Sequence, residues 1–171
     1  MAEPSLAPAK SDAEIEEILD RMLTRLALCD DPKLEALLSK LLPYSIASLS
    51  SQSLAVRKKV IEILGHVNKR VKHQPEIGLP LPELWKMYVE DNAAPMVKNF
   101  CIVYIEMAFD RIHLEEKENM APVLVACISK VPSQHQEIIL RIAAKRRLVS
   151  IVENSKRSSS SLRKSMNYII G

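Results

Sequence analysis

A chain of 171 residues with 47% hydrophobic side chains is the length of one domain and holds enough apolar surface for a core, which excludes a disordered polypeptide. Three glycines and seven aromatic residues are too few for the turn-rich sandwiches and barrels, and abundant Leu, Ala, Ile, Glu and Lys favour an all-α fold. The formal charge of +3 divides unevenly, +5 over residues 146–171 and −2 over residues 1–145, so the body lacks the broad basic face of a dedicated nucleic-acid-binding domain.

After a Pro- and Ala-containing start over residues 1–10, expected to be flexible, Ser11 and Glu14 have the spacing of a capping box. Ile15, Ile18, Leu19, Met22 and Leu26 then form one helical stripe that should end near Cys29. Asp31 before Pro32 reads as a capping carboxylate ahead of a proline at the first helical position, with Leu34, Leu37, Leu38 and Leu41 following. Pro43 should kink or restart that helix before Ile46 and Leu49. Beyond the polar SSQS of 50–53, Val56, Val60, Leu64, Val67 and Val71 advance in steps of three and four, the mark of a long helix with a single buried face.

HQPEIGLP (73–80) reads as a loop, followed by a short helix bearing Leu84, Trp85, Tyr88 and Val89. DNAAP (91–95) turns the chain into a helix with Val97, Phe100, Cys101, Tyr104 and Met107. A break near Asp110 precedes a helix through Met120, Pro122, Leu124 and Ile128, with Glu115, Glu116 and Glu118 complementing the dipole of its first turns. A turn at KVPS (130–133) leads to a last helix with Ile138, Ile139 and Ile142.

These helices recur in pairs. Pro43, Pro82 and Pro122 each fall in the first helix of a pair, 39 and 40 residues apart, and Val56-Arg57 returns as Val97-Lys98 after 41. That period lies near the roughly 40–47 residues of HEAT and armadillo units. The expected architecture is an α-solenoid of about three HEAT-like helical hairpins over 11–145, with 146–171 as a basic, Ser-rich tail. An interior repeat ends in an open apolar face, so Leu148, Val149, Ile151 and Val152 are candidates to fold over Ile138, Ile139 and Ile142.

The segment LLPYSIASLSSQSLAVRKKVIEILGHVNKR (41–70) looks like a HEAT repeat, with a proline in its first helix and Val-Arg opening its second. Its continuation through RVKHQPEIGLPLPELWKMY (70–88) and NFCIVYIEMAFDRI (99–112) resembles the N-terminus of the proteasome adaptor and scaffold family, over roughly residues 12–145. The resemblance implies a segment of a very long HEAT-repeat protein that contacts the proteolytic core and the regulatory particle. It further implies proteasome subunits as partners, work in cytoplasm and nucleus, and no enzymatic activity. Residues 146–171 no longer look like another repeat, as a truncated or alternatively spliced product would end.

The candidate protein-interaction residues are Lys58, Lys59, His66, Lys69, Arg70 and His73, largely off the valine stripe of the long helix, where a basic strip can dock an acidic surface. An ordinary solvated helix face is the alternative reading of the same charges. Arg57 reads as a structural brace, and the pair Trp85 and Tyr88 as core packing between repeats rather than an exposed anchor. His66, His73, His113 and His135 lack metal-ligand spacing, and no Ser, Cys or carboxylate stands in a nucleophile motif, so neither a catalytic residue, a metal nor a cofactor is expected. Cys29, Cys101 and Cys127 are too widely spaced for a zinc site and suit buried thiols in a reducing compartment. The opening residues lack the apolar core of a secretory signal, and apolar runs such as FCIVYI (100–105) are too short to span a bilayer, pointing to a soluble, intracellular protein. Two other readings fit the composition: a transport-receptor-like or nucleic-acid-associated helical module, and a truncated product with no independent activity.

Overall fold

In the computed structural model the described residues are 10–145, and they fall into two compact units that divide between Arg111 and Ile112. Residues 1–9, the basic tail over 146–171 and the expected capping by Leu148, Val149, Ile151 and Val152 lie outside the described residues, and Lys10 is exposed. The first unit holds five helices: α1 (Asp12–Leu28), α2 (Asp31–Ala47), α3 (Leu54–Val71), α4 (Leu81–Val89) and α5 (Pro95–Arg111). The second holds α6 (Leu114–Ala126), a 3-10 turn at Ile128–Lys130 and a helical stretch over 133–145. The described residues contain no strand, and the helices pair at the period read from the sequence, so the all-α helical-repeat fold stands.

Local signals explain most boundaries. At the start of α1 the Glu14 amide donates to Ser11 Oγ at 3.3 Å while the Ser11 amide donates to the Glu14 carboxylate at 2.7 Å, closing the capping box. That amide, the hydroxyl of Ser11 and nearby Lys10 hold the Glu14 carboxyl below its ordinary range, the amide counting most. Two expectations for α2 fail. Its N-cap is Asp30, not Asp31, and the Asp30 side chain makes no capping bond. Asp31 is the first helical residue and its carboxylate is drawn instead to Arg70, 2.6 Å away.

Pro43 does not restart α2, which runs through it to Ala47. A mid-helix proline costs about 3 kcal/mol or more. Leu41, Leu42 and Ile46 are fully buried on either side of it, and their burial outweighs one missing hydrogen bond. Pro122 likewise sits inside α6. Ahead of that helix the His113 amide donates to the Glu116 carboxylate at 3.3 Å, with Glu115 beside it in the first turn.

Within the first unit α1 packs along α3 and α4 along α5, while α2 touches all four of the others. The core is aliphatic: Leu19 and Leu26 of α1, Leu34, Leu38, Leu41 and Leu42 of α2, and the predicted stripe Val56, Val60, Leu64, Val67 and Val71 of α3, joined by Ile63. Tyr88 is buried and stacks on half-buried Trp85 of the same helix with ring centroids 5.7 Å apart. In the second unit Ala121, Leu124, His135, Ile139 and Ile142 are buried, whereas Ile138 is only half-buried.

Three polar links tie successive second helices. Arg70, near the end of α3, donates to the carbonyls of Leu26 and Cys29 at 3.1 and 3.0 Å, closing the otherwise open C-terminus of α1. Arg111, 41 residues later at the end of α5, donates to the carbonyl of Val71 at the end of α3 at 3.0 Å. Between them the Tyr104 hydroxyl donates to Asn68 Oδ1 at 2.8 Å, so the one buried phenol of α5 has its partner on α3.

Candidate functional site

The six candidate residues all lie on or just past α3, whose start is set by Ser53 Oγ accepting the Val56 amide at 3.4 Å. Lys69 and Arg70 in its last turn suit the negative end of the helix dipole. The structure does not keep the six together.

Lys59 is turned inward: its ammonium lies 2.8 Å from Asp20 of α1 and 3.4 Å from Glu62, with the side chain 29% exposed. Its hydrogen bond to the Asp20 carboxylate, above all, raises its pKa from the ordinary lysine value. Arg70 is 28% exposed, and its guanidinium is taken up by the two α1 carbonyls and by Asp31. Asp31 is held below the usual carboxylate range first by a hydrogen bond from Gln74 and then by Arg70. Arg57 is structural, as expected, but within its own repeat: Nε donates to the Ser51 carbonyl at 2.7 Å and a terminal nitrogen to Gln52 Oε1 at 3.0 Å. The arginines that brace a neighbouring repeat are Arg70 and Arg111.

Lys58, His66, Lys69 and His73 remain exposed, with no hydrogen-bond or ion-pair partner among the described residues. At 100° per residue, Lys58 and Lys69 project on one side of α3, and His66 and His73 flank it. Leu54, Ile61 and Lys72 share that side. Leu54 and Ile61 are 65% and 45% exposed, and Lys72 is exposed just past the helix end. Gly65 sits among them, with nothing within 4 Å of where a Cβ would stand. The helical angle alone places Leu54 and Ile61 there, off the valine stripe.

This face presents cations and aliphatic surface to solvent. Among the described residues no three of His, Cys, Asp and Glu converge to hold a metal ion, and no helix is long and apolar enough to cross a membrane. Burial pushes the Cys101 thiol up to about 12, so it stays protonated and unreactive at neutral pH. The remaining assets are unpaired cations and uncovered aliphatic surface.

Comparison with known proteins adds an independent line. The model of the family described as proteasome component ECM29, N-terminal, matches residues 19–168. The chain is 35% identical over 140 residues to the human proteasome adapter and scaffold protein ECM29, the match covering 80% of this chain and 8% of that protein. It is 35% identical over 128 residues to the Drosophila melanogaster proteasome-associated protein ECM29 homolog, covering 74% and 7%. For the proteasome component ECM29 of Saccharomyces cerevisiae the identity is 26% over 127 residues, covering 71% and 7%. No solved structure matches significantly.

Proposed function

Because this chain belongs to the ECM29 family, we propose that it serves as a non-enzymatic segment of a proteasome adaptor or scaffold, engaging the core or the regulatory particle through extended helical surfaces. The observation that carries the reading is the 35% identity to the human adapter and scaffold protein across four-fifths of the chain. Since the match takes in only 7–8% of the relatives' length, their partners are carried here as part of the proposal. The physical support is that α3 ends in clamps to its neighbour while its outer side offers unpaired cations, an arrangement suited to holding a protein surface. Cytoplasm and nucleus are the proposed places of work.

The test is affinity purification of the tagged chain from cells at moderate salt, with mass spectrometry of what co-purifies. Core or regulatory-particle subunits should be recovered, and reversal of Lys58 and Lys69 to Glu should reduce them. Lys59 and Arg70 are poor choices for that reversal, because both hold α1 to α3. Recovery of chaperones without proteasome subunits would sink the proposal.

A further inference from the structure

The outer side of α3 carries a combination that packing among the described residues does not account for. Gly65 lies in the middle of an 18-residue helix, where glycine destabilises by about 1 kcal/mol relative to alanine. Its φ is not positive and a Cβ there would meet nothing within 4 Å, so neither backbone conformation nor an internal neighbour requires it. Leu54 and Ile61, seven residues apart, lie on the same side, about two helical turns from one another. The position equivalent to Ile61 one repeat later is Ile102, which is 1% exposed against 45% for Ile61. A register that is buried on α5 is therefore open on α3.

Three lysines surround this strip. Lys58 stands between Leu54 and Ile61, and Lys69 and Lys72 lie beyond Gly65; none has an ion-pair partner among the described residues. We propose that the face formed by Leu54, Lys58, Ile61, Gly65, Lys69 and Lys72 docks an acidic amphipathic helix of a partner protein, which crosses α3 closest at Gly65. The missing side chain lets two helix backbones approach, as small residues do at helix crossings. Leu54 and Ile61 receive the partner's apolar stripe, and the lysines select carboxylates along its edge. Charge complementarity sets the sign of the partner; the spacing of the aliphatic pair sets its helical form. This deepens the scaffold reading by naming the partner's chemistry at one surface, but its test does not need the proteasome.

The test uses the full chain and labelled peptides of about 20 residues, long enough to form helix. One is an acidic helix of Glu with leucines at three- and four-residue spacing, the second has those leucines replaced by Ala, and the third is polyglutamate; a DNA duplex is the fourth probe. Fluorescence anisotropy should rank the first at least roughly tenfold tighter than the other three, a difference of about 1.4 kcal/mol. The triple variant Lys58→Glu, Lys69→Glu, Lys72→Glu should lose roughly tenfold, and Gly65→Leu should abolish binding. Gly65→Ala should weaken binding while raising the melting temperature, a divergence that damage to the fold cannot produce. Equal affinity for polyglutamate or DNA, or full binding by Gly65→Leu, overturns the proposal. So does a homodimer in sedimentation that Gly65→Leu dissolves, since the face would then be meeting a second copy. Loss of proteasome subunits from the affinity purification, with peptide binding intact, would refute the scaffold reading alone.

Discussion

The two repeats of the first unit share a frame and differ in what they leave uncovered. Each second helix ends in an arginine that grips the carbonyl end of its predecessor, Arg70 on α1 and Arg111 on α3. Yet α3 buries a single aliphatic stripe, whereas α5 buries Val97, Cys101, Ile102, Tyr104, Ile105, Ala108 and Phe109. Where α3 presents Lys58, Gly65 and Lys69, the equivalent positions of α5 hold Asn99, Glu106 and Asp110. The frame is what makes a stack of helical pairs, and it is kept while these positions differ between the two repeats.

The sharpest way to break this comparison is to truncate the wider buried face of α5. Phe109→Ala should destabilise by about 3–5 kcal/mol in denaturant unfolding, because the side chain is 1% exposed and leaves a cavity. A loss no larger than that of an exposed α3 substitution would mean that α5 is not the core helix described. Next come the clamps. Arg70→Ala should cost about 1.5–3 kcal/mol, the range for hydrogen bonds to a charged donor, and Arg111→Ala less, since Arg70 joins two carbonyls of its neighbour and a carboxylate while Arg111 reaches one. Arg70→Lys should not restore stability, because an ammonium cannot fork to three acceptors held by a planar guanidinium.

A smaller effect should come from Gly65→Ala, which gains about 1 kcal/mol by relieving the conformational freedom of the unfolded chain without meeting any neighbour. Gly78 is the control: a Cβ there meets the carboxylate of Glu35 at 3.1–3.3 Å, so alanine at that position should not stabilise as much. The smallest expected change is a pH effect at the link from Asp31 of α2 to Arg70 of α3. Asp31 ionises more readily folded than unfolded, so its stabilisation is present above its ordinary value of 3.8 and fades as pH falls below it. Thermal melts of the wild type and Asp31→Asn should differ at neutral pH and converge in acid; a gap that widens on acidification would refute the assignment.

Much of the frame was legible in the residues. Ser11 with Glu14, and the valine series from Val56 to Val71, are local patterns whose physics needs only neighbours within one or two turns. The misreadings share the opposite property. Asp31 beside Pro32 looked like a cap, but a long-range arginine claimed its carboxylate; Pro43 looked like a point of restart, but the helix runs through it with Leu41 and Leu42 buried before it and Ile46 after it. Among the candidate binding residues, Lys59 and Arg70 could not be told from Lys58 and Lys69 by sequence position, since what separates them is the placement of Asp20, Leu26 and Cys29 some 40 residues earlier.

The sequence by itself determined the helical pairs, their period, the buried stripe and the family, because each of these is written in residue order and spacing. Tertiary structure alone decided which cations of α3 are spent inside the fold and which are left outside it. A charged side chain reveals its role only when the acceptor it meets, or the solvent it faces, has been brought to it by the folding of the rest of the chain.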